Sequence, residues 1–101
     1  METQNAIITS VAIENERGLS AWLHLDYGDS GQGFGGYMLL GGARNYCGYF
    51  IARCLDIGGV DEWSKLRGKS IRVRIENGLI KAIGHIVKDD WFTPSIDLEK
   101  C

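Results

Sequence analysis

The residue types most able to do chemistry cluster between Asp26 and Tyr37. The run Asp26-Tyr27-Gly28-Asp29-Ser30-Gly31-Gln32-Gly33-Phe34-Gly35-Gly36-Tyr37 holds five of the fourteen glycines. Glycine accepts backbone angles closed to other residues and lets a ligand approach the main chain. The run therefore reads as a cradling loop, in which Gly31, Gln32, Gly33, Gly35 and Gly36 offer backbone N–H groups to an anion or carbonyl. Phe34 and Tyr37 would stack on a flat group. Gly31 to Gly36 also satisfies G-x-G-x-x-G, but a dinucleotide site needs a helix directly after it, and a short strand, Tyr37 to Leu40, is expected here instead. The other protein-kinase signatures are missing as well.

A second anion-binding element follows. Gly41-Gly42-Ala43-Arg44-Asn45 precedes a helical pattern, so Arg44 sits where a helix N-terminus favours negative charge and could complete a phosphate site. Remaining reactive groups are scattered. His24 and His85 lie far apart in sequence, and no Cys or His spacing matches a zinc site. Cys47 and Cys54 fall on one apolar helical stripe and read as core; Cys101 reads as a free thiol. Asp26, Asp29, Asp89 and Asp90 have the placement of turn residues. No catalytic residue, metal or cofactor is assigned.

The elements that must hold these groups follow from periodicity. Ala6 to Ile13 and Leu19 to Tyr27 form a hairpin through Glu14 to Gly18, with Leu19, Ala21, Leu23, Leu25 and Tyr27 on one face. Ser20, Trp22, His24 and Asp26 point the other way, and an exposed Trp22 beside His24 marks a face to be covered or used for contact. Cys47, Phe50, Ile51, Cys54 and Leu55 trace a helix from about Ala43 to Ile57, stopped by Gly58-Gly59. Asp61 would cap a further helical turn anchored by Trp63 and Leu66. Ser70 to Glu76 alternates with Ile71, Val73 and Ile75 inward and Arg72 and Arg74 outward. Asn77-Gly78 turns the chain into Leu79 to Val87. Trp91 and Phe92 fold back over apolar surface. The order β-β-β-α-β-β defines a single α+β domain, residues 1–101, with a mainly antiparallel sheet of about five strands packed on one main helix.

Composition bounds the partners. The chain has 101 residues, 45% hydrophobic and 24% charged, with a formal net charge of −2. That balance opposes general binding to a nucleic-acid backbone, so no direct nucleic-acid binding is expected. No apolar run approaches the roughly 20 residues of a membrane span. Without a secretory pattern at Met1 to Asn5, a cytoplasmic location is expected.

Ala21 to Gly28, Gly31-Gln32-Gly33-Phe34-Gly35-Gly36-Tyr37, Asp61-Glu62-Trp63 with Gly68-Lys69, and Ile83-Gly84-His85 with Trp91-Phe92 together resemble a family of small phage and prophage proteins with a GQGFGGY core. The resemblance spans most of the chain and implies a phage accessory protein acting in the host cytoplasm by binding. Three expectations follow. The first is sequestration of a nucleotide-like signalling molecule of host defence, by Gly31 to Tyr37 and Arg44, in a homo-oligomer. The second is inhibition of a host defence nuclease or CRISPR effector by protein contact, with Trp22, His24 and Trp91 at the interface beside Phe34. The third is a small hydrolase of phosphorylated ligands.

Overall fold

The computed structural model describes residues 2–15, 19–35 and 46–98. It contains six strands, β1 (Glu2–Asn15), β2 (Leu19–Tyr27), β3 (Ser30–Gly35), β4 (Ser70–Glu76), β5 (Leu79–Gly84) and β6 (Trp91–Phe92), with helix α1 (Tyr46–Gly58) between β3 and β4. A 3-10 turn at Trp63–Leu66 and a short helix α2 (Pro94–Asp97) complete it. The strands form one antiparallel sheet in the order β3-β2-β1-β4-β5-β6. The α+β class and the single main helix agree with the sequence pattern; the sixth strand is the aromatic tail pairing with β5.

β1 is long because it serves two partners. Residues Glu2 to Ile7 pair with β4, whereas Ile7 to Asn15 pair with β2. The change of partner coincides with a register shift between Ile8 and Ser10, and a bulge of this kind bends a strand and increases its twist. Gly68 N–H donates to Ile8 O at 2.6 Å, and Ile8 N–H donates to Lys69 O at 2.9 Å, which holds the start of β4 at this bend.

The sheet curls until β3 approaches β5, and one side chain joins them. Gln32 Nε2 donates to Gly78 O at 3.0 Å and Gln32 Oε1 accepts from Ile80 N–H at 2.8 Å. A primary amide carries the same donor and acceptor as a peptide group, so Gln32 stands in for a missing ladder rung. Tyr27 Oη also accepts from Nε2, at 3.0 Å. Both turns that bring these groups together have the required chemistry. Asn77 and Gly78 take φ of +53° and +77° in a two-residue turn, and the β2–β3 turn places Gly28 at +58°.

Alternation fills the enclosed space. Ala6, Ile8, Ala21, Leu23, Leu25, Phe34, Ile71, Val73, Ile83 and Phe92 are buried from the sheet, and Phe50, Cys54 and Ile57 from α1. The Phe50 ring lies 5.8 Å from both Phe34 and Phe92, seating the helix across the core. Leu66 is fully buried and Trp63 packs beside it, as the sequence suggests. The cap differs: Glu62 precedes the 3-10 turn without a capping side-chain hydrogen bond, while Asp61 binds Lys65 at 2.9 Å. The return strand also ends earlier than its composition suggests, at Gly84 rather than Val87. There His85 Nδ1 accepts from Val87 N–H and Lys88 N–H, turning the chain. The expected strand at Tyr37 to Leu40 lies outside the described residues.

Arg53 ties α1 to the tail, donating to Asp90 at 2.7 Å, to Asp56 at 3.0 Å and to Trp91 O at 3.3 Å. The hydrogen bond from Arg53 holds the Asp90 carboxyl below the usual carboxylate range. Such a group stabilises the fold above its unfolded pKa of about 3.9 and loses that contribution as pH falls through its lower folded value. Asp90→Asn should therefore reduce stability at pH 7 and lessen the loss below about pH 4 in urea melts; solvent exposure of Asp90 keeps both effects small. Gln32→Ala should cost about 1–3 kcal/mol, since it strands the Ile80 N–H and Gly78 carbonyl, and chemical denaturation measures it.

Candidate functional site

The glycine run is a strand rather than a cradling loop. Ser30 to Gly35 pairs with Tyr27 to Trp22 throughout, so its backbone groups on that side are committed to β2. Alternation then sorts its side chains. Gln32 and Phe34 turn inward, opposite Leu25 and Leu23, and Gly31 and Gly33 lie outward, opposite Asp26 and His24, whereas Gly35, opposite Trp22, breaks the alternation and faces the core ring of Phe50. Phe34 is 5% exposed and packs on Phe50, so its ring is a core element and not a stacking platform. The Gln32 amide is engaged in closing the sheet. Gly36, Tyr37 and Arg44 lie outside the described residues.

The three glycines do different things. A Cβ on Gly33 would stand 3.6 Å from two atoms of the Trp22 ring, an ordinary contact, so the indole lies over this position. A Cβ on Gly31 would come within 2.8 Å of Asp26 Oδ1 and 3.2 Å of His24 Nε2, which therefore reach across bare backbone. Gly35 is a backbone requirement: its φ is +123°, and a Cβ would stand 2.4 Å from Ala21 O and 2.8 Å from Phe50 Cζ.

β2 supplies the side chains of the face. Trp22 is 39% exposed, with its Nε1–H directed to Ser20 Oγ at 3.2 Å. His24 Nε2 lies 3.7 Å from Asp26 Oδ1, and both side chains are about half exposed. On the other flank, β1 presents Ser10, opposite His24, and Ala12, opposite Trp22. The result is a flat surface of glycine, alanine and serine from which one indole and one imidazole stand out. Clefts border it at both ends. One, of about 240 Å³, runs between Gly33 to Gly35 and Ile80, Lys81 and Ser95. Another, of about 520 Å³, is lined by Ile7, Asp26, Tyr27 and Ile86.

Trp91 is not part of this face. It belongs to the sixth strand in sheet order, whereas Trp22 belongs to the second. Its ring rests on Gly84 beneath the guanidinium groups of Arg72 and Arg74. Local sequence carries no signal for that stack, because it joins residues nineteen and seventeen positions apart through a glycine with no hydrophobic signal of its own. Reactive groups are sparse. Cys54 is buried, which pushes its thiol pKa up and suppresses the thiolate. The Cys47 side chain and Cys101 lie outside the described residues. No group of three potential metal ligands occurs among the described residues.

The chain runs through a β1–β2–β3 meander, a helix, then β4 beside β1, in one curled antiparallel sheet whose β3 approaches β5. No family model matches this chain, and neither a curated protein nor a solved structure matches it. No helix among the described residues is long and apolar enough to cross a membrane.

The glycines predict separable substitutions. Gly35→Ala should destabilise the fold by more than about 1 kcal/mol, because backbone and core ring both block the new methyl group. Gly33→Ala should leave the melting temperature within a few degrees of the parent while reshaping the surface under Trp22; circular dichroism melts compare the two.

Proposed function

We propose that the protein is a non-enzymatic binding module that engages a protein partner through the outer face of β2 and β3. The observation that carries this reading is the half-exposed Trp22 indole, held over Gly33 on a face of small residues. A flat, small-residue surface admits close approach, and a rigid tryptophan supplies a large contact area at low entropic cost. The carboxylate of Asp26 beside His24 gives the face a polar margin.

Sequestration of a nucleotide-like molecule has less support. Of the residues expected to hold the ligand, Phe34 and Gln32 serve the core and the closure, and the strand pairing of Gly31 to Gly35 removes the loop that was to wrap a phosphate. Burial of Cys54 suppresses its thiolate and removes it as a nucleophile for hydrolysis. The host-defence setting, with a defence nuclease or CRISPR effector as partner, rests on the resemblance to small phage proteins alone.

Affinity capture from host lysate with the parent, Trp22→Ala and the exposed Ile96→Ala as control tests this. A partner retained by the parent and the control, and bound at least about thirtyfold more weakly by Trp22→Ala, is the expected result, the size of a hot-spot loss of about 2 kcal/mol. Native mass spectrometry of the same preparations is the opposing readout. A nucleotide bound stoichiometrically, released intact on denaturation, with no Trp22-dependent protein, would overturn the protein-contact reading in favour of sequestration.

A further inference from the structure

The outer surface of β4, β5 and β6 carries a second arrangement, independent of the β2–β3 face. Trp91 lies flat on Gly84, its register partner; a Cβ at Gly84 would stand 2.6–2.8 Å from three ring atoms. The guanidinium carbon of Arg74 sits 3.8 Å from the Trp91 ring centroid, and that of Arg72 sits 4.9 Å away. The order from the sheet outward is thus glycine backbone, indole, guanidinium.

The two arginines are used differently. Arg72 Nε donates to His85 O at 2.8 Å and its terminal nitrogen to Lys88 O at 2.7 Å, so it holds the β5–β6 turn. Arg74 makes no hydrogen bond to an acceptor among the described residues, and neither arginine forms an ion pair with a carboxylate there. The nearest like-facing acid along the strand is Glu76, two residues on, and the flanking strand places Thr3 opposite Arg74 and Asn5 opposite Arg72. Two cations without a carboxylate partner are conspicuous in a chain of net charge −2.

If pinning β6 were the whole purpose, the stack would need apolar contact and no aligned donors. An arginine stacked on a fixed ring has its plane set in advance, and its N–H edge is a fork that matches two oxygens of one oxyanion. Ordering it beforehand removes a cost that a free surface arginine bears on binding. Arg72 adds a second positive charge, and the Thr3 hydroxyl and Asn5 amide are further donor types in register. Two adjacent cations suit the near-dianionic charge of a phosphate monoester, or the successive charges of neighbouring phosphodiesters, better than a single carboxylate.

We propose that Arg74, supported by Trp91 and Arg72, is a receptor for a phosphoryl group. Its source is either a nucleoside monophosphate or a nucleic-acid phosphodiester. Heteronuclear NMR of the arginine Nε–Hε signals, during titration with inorganic phosphate, AMP or a ten-nucleotide oligo-dT at constant ionic strength, tests it. The Arg74 signal should shift saturably with at least one of these, and no such shift should accompany sodium chloride. Arg74→Gln should abolish the saturable binding, and Arg74→Lys, which keeps the charge but loses the fork, should weaken it at least tenfold, with both variants retaining the parent spectrum elsewhere. Tighter binding of AMP or of oligo-dT would identify the source. The proposal falls if Arg74 shifts no more than the exposed Arg67, or if Arg74→Lys binds as well as the parent.

Discussion

The fold depends on a sheet closing through a side chain instead of a ladder. An antiparallel sheet with one apolar face must cover that face, and here it does so by curling until its third and fifth strands meet. At the seam, Gln32 supplies one donor and one acceptor in place of a peptide group and bonds the β5 backbone directly. A side-chain bridge spans a wider gap than a backbone ladder, which leaves the cleft between Gly33 to Gly35 and Lys81. Closure and cleft are therefore two aspects of one geometry. The bend that makes both possible originates on β1, where the register shift near Thr9 allows one strand to serve β4 and then β2.

Glycine is used in this molecule mainly to make surfaces flat. On β3 the absence of side chains lets Trp22, His24 and Asp26 lie across the strand, and on β5 Gly84 provides the bed for Trp91. Two tryptophans thus rest on two glycine-bearing strands in different parts of the outer surface. Their fates differ because of what lies above them. Trp22 keeps a solvent-facing ring, whereas Trp91 is covered by arginine. The first is suited to contact and the second to holding a cation in place.

The division of charge follows the same plan. Asp26 lies on the β2–β3 face and Asp29 in its turn, and Arg72 and Arg74 lie together on β4. Arg53, by contrast, is consumed internally, joining α1 to Asp56, Asp90 and the Trp91 carbonyl. A net charge of −2 conceals this separation, because composition sums over faces that a ligand meets one at a time.

Alternation of apolar residues by itself determined β2, β4 and the inward set of each, because a period of two residues allows only one burial pattern. The stripe from Phe50 to Leu55 likewise marked α1, and Asn77-Gly78 marked its turn. The glycine run has the pattern of a loop because glycine has low strand propensity and carries no hydrophobic signal, so Phe34 stands alone. Only pairing with β2 made it a strand, and only that pairing turned Phe34 inward and Gln32 toward β5. The Trp91 stack and the two-partner use of β1 were equally hidden. Each arises from residues distant in sequence meeting across a curled sheet, and local periodicity carries no term for such meetings.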